Sequence, residues 1–475
     1  MTDPLPGDAA VHTRESVWSV VREALRGAHH HDYTEGPIDK AILLLAIPMV
    51  MEVFMESVFA LVDVFFVSKL GADAVAAVAM TESIMSILYA LLMGLSMGAT
   101  ALVARRIGEK DPEAASRTAV QAIVLGVIFA LPVAAFGVSF ASNLLGLMGA
   151  SPRVIETGSR FTATLLGGNV TVMLLFLINA VFRGAGDAAV AMRVLWFANA
   201  INIALNPCLI FGLGPFPRLG VTGSAVATTI GRGTAVLMQL VILTRGRRRV
   251  VVGRRHLGVD LPTMVRMLRV SGTGILQAFI GTTSWIGLIR ILAGFGSAAL
   301  AGYLIGLRIM LFALLPSWGM ANSAATMVGQ NLGARRPERA ETSVWRAGLY
   351  NLIFLGVVSI VFVAFPKSFI RLFTLDAEVV RFGVQCLQIV SCGFIFYAYA
   401  MVMTSAFNGA GDTWTPTLMN LACLWLWEIP LAYVLARPLG LGPQGVFVAI
   451  TIAFSTFAVV AVAIFRRGRW KEKKI

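Results

Sequence analysis

Hydrophobic residues follow one another in twelve long runs that short polar segments separate. Each run reaches the length of about 20 residues that crosses a hydrocarbon core about 30 Å thick. The runs are continuous and lack the alternation with period two that marks a transmembrane barrel. Because a backbone in lipid must satisfy its own hydrogen bonds, they predict twelve transmembrane α-helices. The approximate limits are 41–67, 76–104, 118–140, 161–182, 194–213, 222–244, 270–293, 298–328, 347–365, 382–407, 414–436 and 444–465.

A sequence repeat relates the first six runs to the last six. Three separated landmarks recur at one offset of 225 residues: Phe182–Asp187 as Phe407–Asp412, Gly108, Pro112 and Glu113 as Gly333, Pro337 and Glu338, and Gly71 as Gly296. Because six is even, both copies cross the membrane in the same orientation and are related by an axis along its normal. We therefore predict an all-α integral membrane protein of two six-helix lobes.

The polar segments divide the chain into five regions. We predict a leader at 1–36, an N-lobe at 37–245, a basic linker at 246–262, a C-lobe at 263–466 and a basic tail at 467–475. The leader has no apolar core of a cleavable signal peptide and is expected to be partly helical at Ser16–Gly27. Its histidine run, His29–His31, is interpreted as a solvated tail and not as a metal site.

Charge sets the expected orientation. The chain is 57% hydrophobic and 13% charged, yet it carries a formal net charge of +14. With both termini cytoplasmic, 28 Lys and Arg residues lie in inside segments, 8 in outside loops and 3 within spans. This asymmetry predicts a multi-pass protein of the inner (plasma) membrane with both ends in the cytoplasm. The basic segments would lie next to anionic lipid headgroups, so the net positive charge does not require a nucleic-acid partner. We expect a monomer.

Three acids enter the first span. Glu52, Glu56 and Asp63 stand at i, i+4 and i+11, which places them on one helical face about 16 Å long. An ionisable group in the bilayer core costs about 2.5–3.5 kcal/mol on insertion scales and is a functional hypothesis by default. The alternative is that one or two lie near the interface and hydrogen-bond locally.

The fifth span carries three asparagines. Asn202 and Asn206 share a face, Asn199 lies one turn earlier, and Pro207 lacks the N–H that would close the helix. We expect a local opening there, whose oxygens with a carboxylate would receive a proton carrier or Na⁺. An asparagine pair that joins two helices is the alternative. Ser224 in the next span would add a hydroxyl.

The second half has a different polar set. Gln277, Arg290, Arg308 and Glu428 lie within its spans. Arg290 is near the outer end of its helix and would snorkel to the interface. Arg308 and Glu428 are deeper and could pair with each other or with the first-half acids. The candidates for a substrate cleft are Glu52, Asn199, Ser224, Gln277, Arg308 and Glu428.

Two common enzyme motifs are missing from the sequence. It contains no Gly-rich run ending in Gly-Lys-Ser/Thr and no His-Glu-x-x-His. The four cysteines (Cys208, Cys386, Cys392 and Cys423) lie in apolar stretches without metal-ligand spacing. We expect neither an enzyme nor a metal site, and no cofactor.

Several motifs together resemble the multidrug and toxic compound extrusion (MATE) transporters over residues 40–466. They are Val62–Asp63 followed by Leu70–Gly71, the duplicated Gly-Ala-Gly-Asp after spans four and ten, and the stretch Asn202–Pro207 followed by Leu209–Gly212. The resemblance implies two lobes forming a V that rocks between inward and outward openings. The acid of span one with the pair of span five looks like the DinF-type branch. On that basis Asp63, Asn202 and Asn206 are carried over as the cation-coupling cluster.

The sequence departs from that branch at two positions. The second member of the pair is Asn206 where Asp is common, and Glu56 stands where a neutral amide is common, so Glu56 is added to the coupling cluster as a replacement charge. The NorM-type branch relies on acids in spans seven and ten, and this sequence has none in span seven or in the core of span ten.

The leading functional hypothesis is a secondary antiporter. It would export amphiphilic, often cationic, small molecules in exchange for H⁺ or Na⁺. A flippase of lipid-linked precursors is an alternative of the same architecture; it would need more cations in the cleft, and Arg290 and Arg308 keep it open. An intramembrane enzyme would need a nucleophile with a base, or a metal cluster, and the sequence supplies neither.

Overall fold

The computed structural model describes residues 17–27, 31–245 and 248–475, and within them the chain is helical with no strand. A short helix, α1 (Val17–Arg26), precedes the first lobe. The first lobe contains α2 (Ile38–Ser68), α3 (Ala72–Gly108), α4 (Pro112–Leu147), α5 (Pro152–Gly167), α6 (Asn169–Ala185), α7 (Ala188–Phe211) and α8 (Val221–Arg245).

The second lobe repeats this order. It contains α9 (Leu261–Ala293), α10 (Ser297–Gly333), α11 (Pro337–Ala364), α12 (Pro366–Arg371), α13 (Ala377–Ser391), α14 (Phe394–Gly409), α15 (Trp414–Asn420), a π-helical segment (Leu421–Glu428), α16 (Ile429–Ala436) and α17 (Pro443–Arg466). Each lobe buries its own apolar core between its helices.

The described helices account for all twelve predicted spans. Ten spans are long enough and apolar enough on their own, and two more are bent pairs, α5 with α6 at 41° and α13 with α14 at 58°. The two bends were not predicted. The expected helix opening at Pro207 is wrong, because α7 runs without a break to Phe211. Irregular backbone occurs instead at Phe140 of α4, with φ of −120° and ψ of 18°, and in the eleventh span, as the π-helical turns that end at Glu428.

Backbone geometry repeats at the same offset as the sequence. Gly71 and Gly296 precede α3 and α10 with an identical φ of 101°. Lys110 and Arg335 follow the same two helices with φ of 58° and 56°, a left-handed conformation that a side chain makes costly. Non-glycine residues with positive φ at equivalent positions indicate that the two lobes share one backbone plan.

The lobes meet at the side of the molecule where α3 and α10 end, called here the termini side. A Cβ on Gly108 would overlap the backbone of Gln330, and a Cβ on Gly333 would overlap the backbone of Arg105. The two helices therefore cross with their backbones in contact. Gly94 of α3 makes an equally close contact with α9. These contacts join the lobes in the half of the molecule nearest the termini side.

The leader also joins the lobes. Tyr33 is buried, its hydroxyl donates to the Gly186 carbonyl of the first lobe at 3.0 Å, and the Arg249 guanidinium lies 5.0 Å from its ring. Arg339 of the second lobe donates to the Glu35 carbonyl at 2.7 Å. Burial raises the pKa of the Tyr33 phenol. The expectation of a solvated histidine run is wrong at His31, which is half-buried and whose carbonyl accepts from Arg249, and 29–30 lie outside the described residues.

Candidate functional site

The three acids of α2 lie on one face and point into the first lobe. Glu52 contacts α6, Glu56 contacts α8, and Asp63 contacts α7 and α8. The helical spacing of the sequence therefore brings them onto a single interior surface. The three acids have different partners, and an acid without a cationic partner is the better candidate to bind a cation.

Glu52 is neutralised by an arginine. Arg183 places Nη1 2.8 Å from Glu52 Oε1, and Asn179 Nδ2 donates to the same oxygen at 3.1 Å. Gln239 in turn donates to Asn179 Oδ1 at 2.6 Å. Glu52 is buried, and a buried charge is tolerated when it is paired and hydrogen-bonded. We interpret this network as structural, joining α2, α6 and α8.

Glu56 also has a cationic partner. Arg232 of α8, which is only 6% exposed, approaches Glu56 Oε1 at 3.3 Å. The Arg232 guanidinium also lies 5.7 Å from the Phe59 ring. Arg232 therefore balances the charge of Glu56 in this structure, and the role of Glu56 in the cation-coupling cluster stays a prediction.

Asp63 accepts hydrogen bonds only from neutral side chains among the described residues. Asn206 Nδ2 donates to Asp63 Oδ1 at 2.7 Å, and the Ser224 hydroxyl donates to the same oxygen. Among the residues that the structure describes, no Lys, Arg or His lies within ion-pair distance of this carboxylate. Asp63 is half-buried, so it is reachable while most of its surface is shielded. Of the three acids on this face of α2, Asp63 is the one without an ion-pair partner among the described residues.

The two asparagines of the predicted pair behave differently. Asn206 reaches Asp63, whereas Asn202 donates to Thr228 Oγ1 at 3.0 Å. The side-chain oxygens of Asn202 and Asn206 are both buried and accept no hydrogen bond from any described group. Asn199 donates to the Met55 carbonyl at 3.4 Å. Two unsatisfied amide oxygens near a carboxylate are the donor type that hard cations select.

The polar residues of the second half do not join this cluster. Glu428 is 3% exposed and lines a small cavity inside the second lobe with Ser284, Tyr303 and Tyr397. Arg308 is exposed, and no ion pair between it and Glu428 occurs in the described part of the chain, so the suggested pairing is wrong. The substrate-cleft candidates Gln277 and Glu428 are both buried within the protein.

Sequence reasoning did not pair Glu52 and Glu56 with the arginines that lie beside them in the structure, Arg183 and Arg232. Arg183 was visible in the sequence as the position where the duplicated motif differs, since its repeat partner is Asn408. Arg232 was visible as a lone cation inside a span. An ionisable residue in a span requires a partner, and that rule would have linked both to the acids of α2.

Two lobes of six spans, related by a repeat and holding a buried polar cluster in one lobe, define a polytopic membrane protein of the transporter class. The family model described as MatE matches residues 48–208 and 273–434, one match in each lobe. The chain belongs to this family, the MATE transporters.

Known proteins are similar to this chain over most of its length. A probable multidrug resistance protein NorM of Thermotoga maritima is 24% identical over 92% of this chain and 94% of its own. An FAD transporter of Shewanella oneidensis is 25% identical over 85% and 89%. A solved structure described as the outward-facing conformation of a multidrug resistance MATE family transporter is 25% identical, with a TM-score of 0.85 over 95% of this chain and 98% of that one.

Proposed function

We propose that the protein is a secondary antiporter that exports amphiphilic, often cationic, compounds in exchange for H⁺ or Na⁺. The observation that carries the proposal is the pairing of the α2 acids. Glu52 and Glu56 are each balanced by an arginine, whereas Asp63 is held only by an amide and a hydroxyl. The names of the relatives support multidrug export as the transported class.

Coupling requires that ion and substrate favour different conformations. A ligand that binds both states equally shifts neither. A carboxylate whose surroundings change from wet to dry meets this requirement, because desolvation favours the neutralised form. Asp63 would then release its ion where water reaches it and take up an ion before the lobe closes around it. The unsatisfied oxygens of Asn202 and Asn206 are the ligands we assign to Na⁺, if Na⁺ is the coupling ion.

The described conformation fits the outward-facing step of this cycle. With the predicted orientation, the termini side is cytoplasmic, and the lobes touch there through the crossing of α3 and α10. The likeness to a structure described as outward-facing supports the same state. We further propose membership in the DinF-type branch, because Asp63 and Asn206, two members of its cluster, are in contact inside the first lobe.

The decisive experiment is efflux from proteoliposomes with the variant Asp63→Asn. An amide keeps the size and the neutral partners but cannot cycle a proton or balance Na⁺. We expect the variant to fold and to lose dye efflux driven by either a pH or a Na⁺ gradient. Asp73→Asn, at an exposed acid near the start of α3, is the matched control and should behave as wild type. Wild-type efflux by Asp63→Asn would refute the proposal.

A flippase of lipid-linked precursors is the second candidate. Arg290 and Arg308 are exposed on the second lobe, where they would attract an anionic headgroup. Transport of a fluorescent lipid-linked phosphate in the same vesicles tests it. Movement of that lipid that is lost in Arg308→Gln, with dye efflux absent throughout, would favour the flippase over the antiporter.

A further inference from the structure

Helix α1 is docked at the junction of the two lobes on the termini side. It packs on the first turns of α2 and on the start of α7, and the shared core reaches α10 of the second lobe. The buried side chains of this core include Val20 and Ala24 of α1 together with Ala41, Leu44, Leu45, Met49, Ala188 and Met327. The helix is therefore held in a defined place beside the membrane spans.

The opposite face of α1 is uncovered and has a distinct composition. Trp18 is 80% exposed, and Arg22, Leu25 and Arg26 are also exposed. At 100° per residue these four lie within about 100° of one another and about 190° from the buried face. The helix thus presents an aromatic ring, an aliphatic side chain and two guanidinium groups together. We call this surface the α1 outer face.

The charge of this face is not balanced within the helix. Glu23 is the single acid of α1, and it pairs with Lys40 of α2 at 3.0 Å. Arg22 and Arg26 remain as cations on the outer face. Their position matches a surface that carries negative charge.

The depth of α1 is fixed by its partners on α2. Ala41 to Met49 are the first three turns of a span that begins at Ile38, a length of about 12 Å. The polar headgroup layer adds about 5–7 Å on each side of the hydrocarbon core. The helix therefore lies at the level where headgroups meet acyl chains. Trp and Arg are the residues that favour this level.

We propose that the α1 outer face binds anionic phospholipid headgroups of the cytoplasmic leaflet and so holds α1 against the junction of α2 and α10. The arginines pair with phosphate and acidic headgroups, while Trp18 and Leu25 enter the boundary with the acyl chains. Each arginine near an anionic surface contributes about 1 kcal/mol. Loss of both is expected to weaken binding of anionic lipid about 30-fold.

Quenching of Trp18 by brominated lipid tests the proposal on the full-length protein. The chain has 9 Trp residues, so the signal of interest is the difference in emission between wild type and Trp18→Phe. In mixed micelles, brominated phosphatidylglycerol should quench this difference at a much lower mole fraction than brominated phosphatidylcholine. This comparison of the two lipids depends on one variant only, Trp18→Phe, a conservative change at an exposed side chain that leaves the buried face of α1 intact.

A double variant then tests whether the two arginines of the α1 outer face bind the anionic lipid. Arg22→Gln with Arg26→Gln should raise the mole fraction of brominated phosphatidylglycerol at half-quenching by at least tenfold and leave phosphatidylcholine unchanged. Arg153→Gln with Arg160→Gln, at two cations of α5, is the matched control and should change neither.

Three results would overturn the proposal. Equal quenching by both lipids would show a contact with acyl chains that does not select anionic headgroups. No quenching by either would place the face in water, where a soluble partner is the remaining occupant. An unchanged phosphatidylglycerol titration in the double arginine variant would show that Arg22 and Arg26 do not contribute to binding of this lipid.

Discussion

The ion pair between Glu56 and Arg232 gives a measurable coupling energy. The two side chains approach at 3.3 Å, with Arg232 buried and the Glu56 side chain 33% exposed. At this distance the attraction is about 5 kcal/mol for an effective dielectric constant of about 20. Because Glu56 is partly exposed, screening reduces the value, and we expect a coupling energy of about 1–3 kcal/mol. The pair is therefore strong enough to stabilise the packing of α2 on α8.

A double-mutant cycle measures this energy. Glu56→Gln removes the negative charge with little change in size, and Arg232→Gln removes the cation. Equilibrium unfolding in mixed micelles of SDS and a mild detergent would give the free energy of each variant. Each single variant should be clearly destabilised, and the double variant should lose less than the sum of the two.

An exposed pair provides the comparison. Glu378 and Arg381 lie 3.9 Å apart with side chains 71% and 58% exposed, and their cycle should give less than about 0.5 kcal/mol. Additive losses for Glu56 and Arg232 would refute the pairing. In that case Glu56 would again be available as a free carboxylate beside Asp63.

Three further predictions follow from the site and the fold. Asn206→Ala should reduce gradient-driven efflux more than Asn202→Ala, because only Asn206 donates to Asp63, the proposed coupling carboxylate; equal losses in the transport assay would contradict this. Glu428→Gln should keep coupled efflux and should unfold at the same or a higher temperature, since it replaces a buried ionisable group that has no described cationic partner; abolished efflux in a folded variant would contradict it. Reporters fused after Ile475 and inserted near Arg249 should both report cytoplasm, and either one outside would exclude the orientation.

The spans and their duplication were predictable because both follow directly from the order of the residues. The thickness of the bilayer sets the length of each apolar run, and the repeat fixes the pairing of the two halves. The bends at Gly168 and Gly393 were not predictable, since 46 glycines occur in the chain and most do not break a helix. The π-helical turns before Glu428 likewise carry no signal in the hydropathy pattern.

The site was predictable in part. The period of 3.6 residues placed the acids of α2 on one face, as the structure has them. The partners of those acids were not predictable, because they lie on other helices more than 120 residues away and depend on how each helix is rotated. Asn202 and Asn206 illustrate this point. They share a face, yet only Asn206 reaches Asp63.

The crossing of α3 and α10 has the geometry of an isologous interface. Gly108 faces the residues before the end of α10, and Gly333 faces the residues before the end of α3, so the same patch appears on both sides, as in a two-fold symmetric dimer. In a dimer of identical chains any substitution would appear twice. In a single chain the halves can differ while the contact between them stays symmetric. Residue 288, which is 225 positions after Asp63, is a leucine, so one half holds the acid proposed to bind the coupling ion while the other keeps the matching surface.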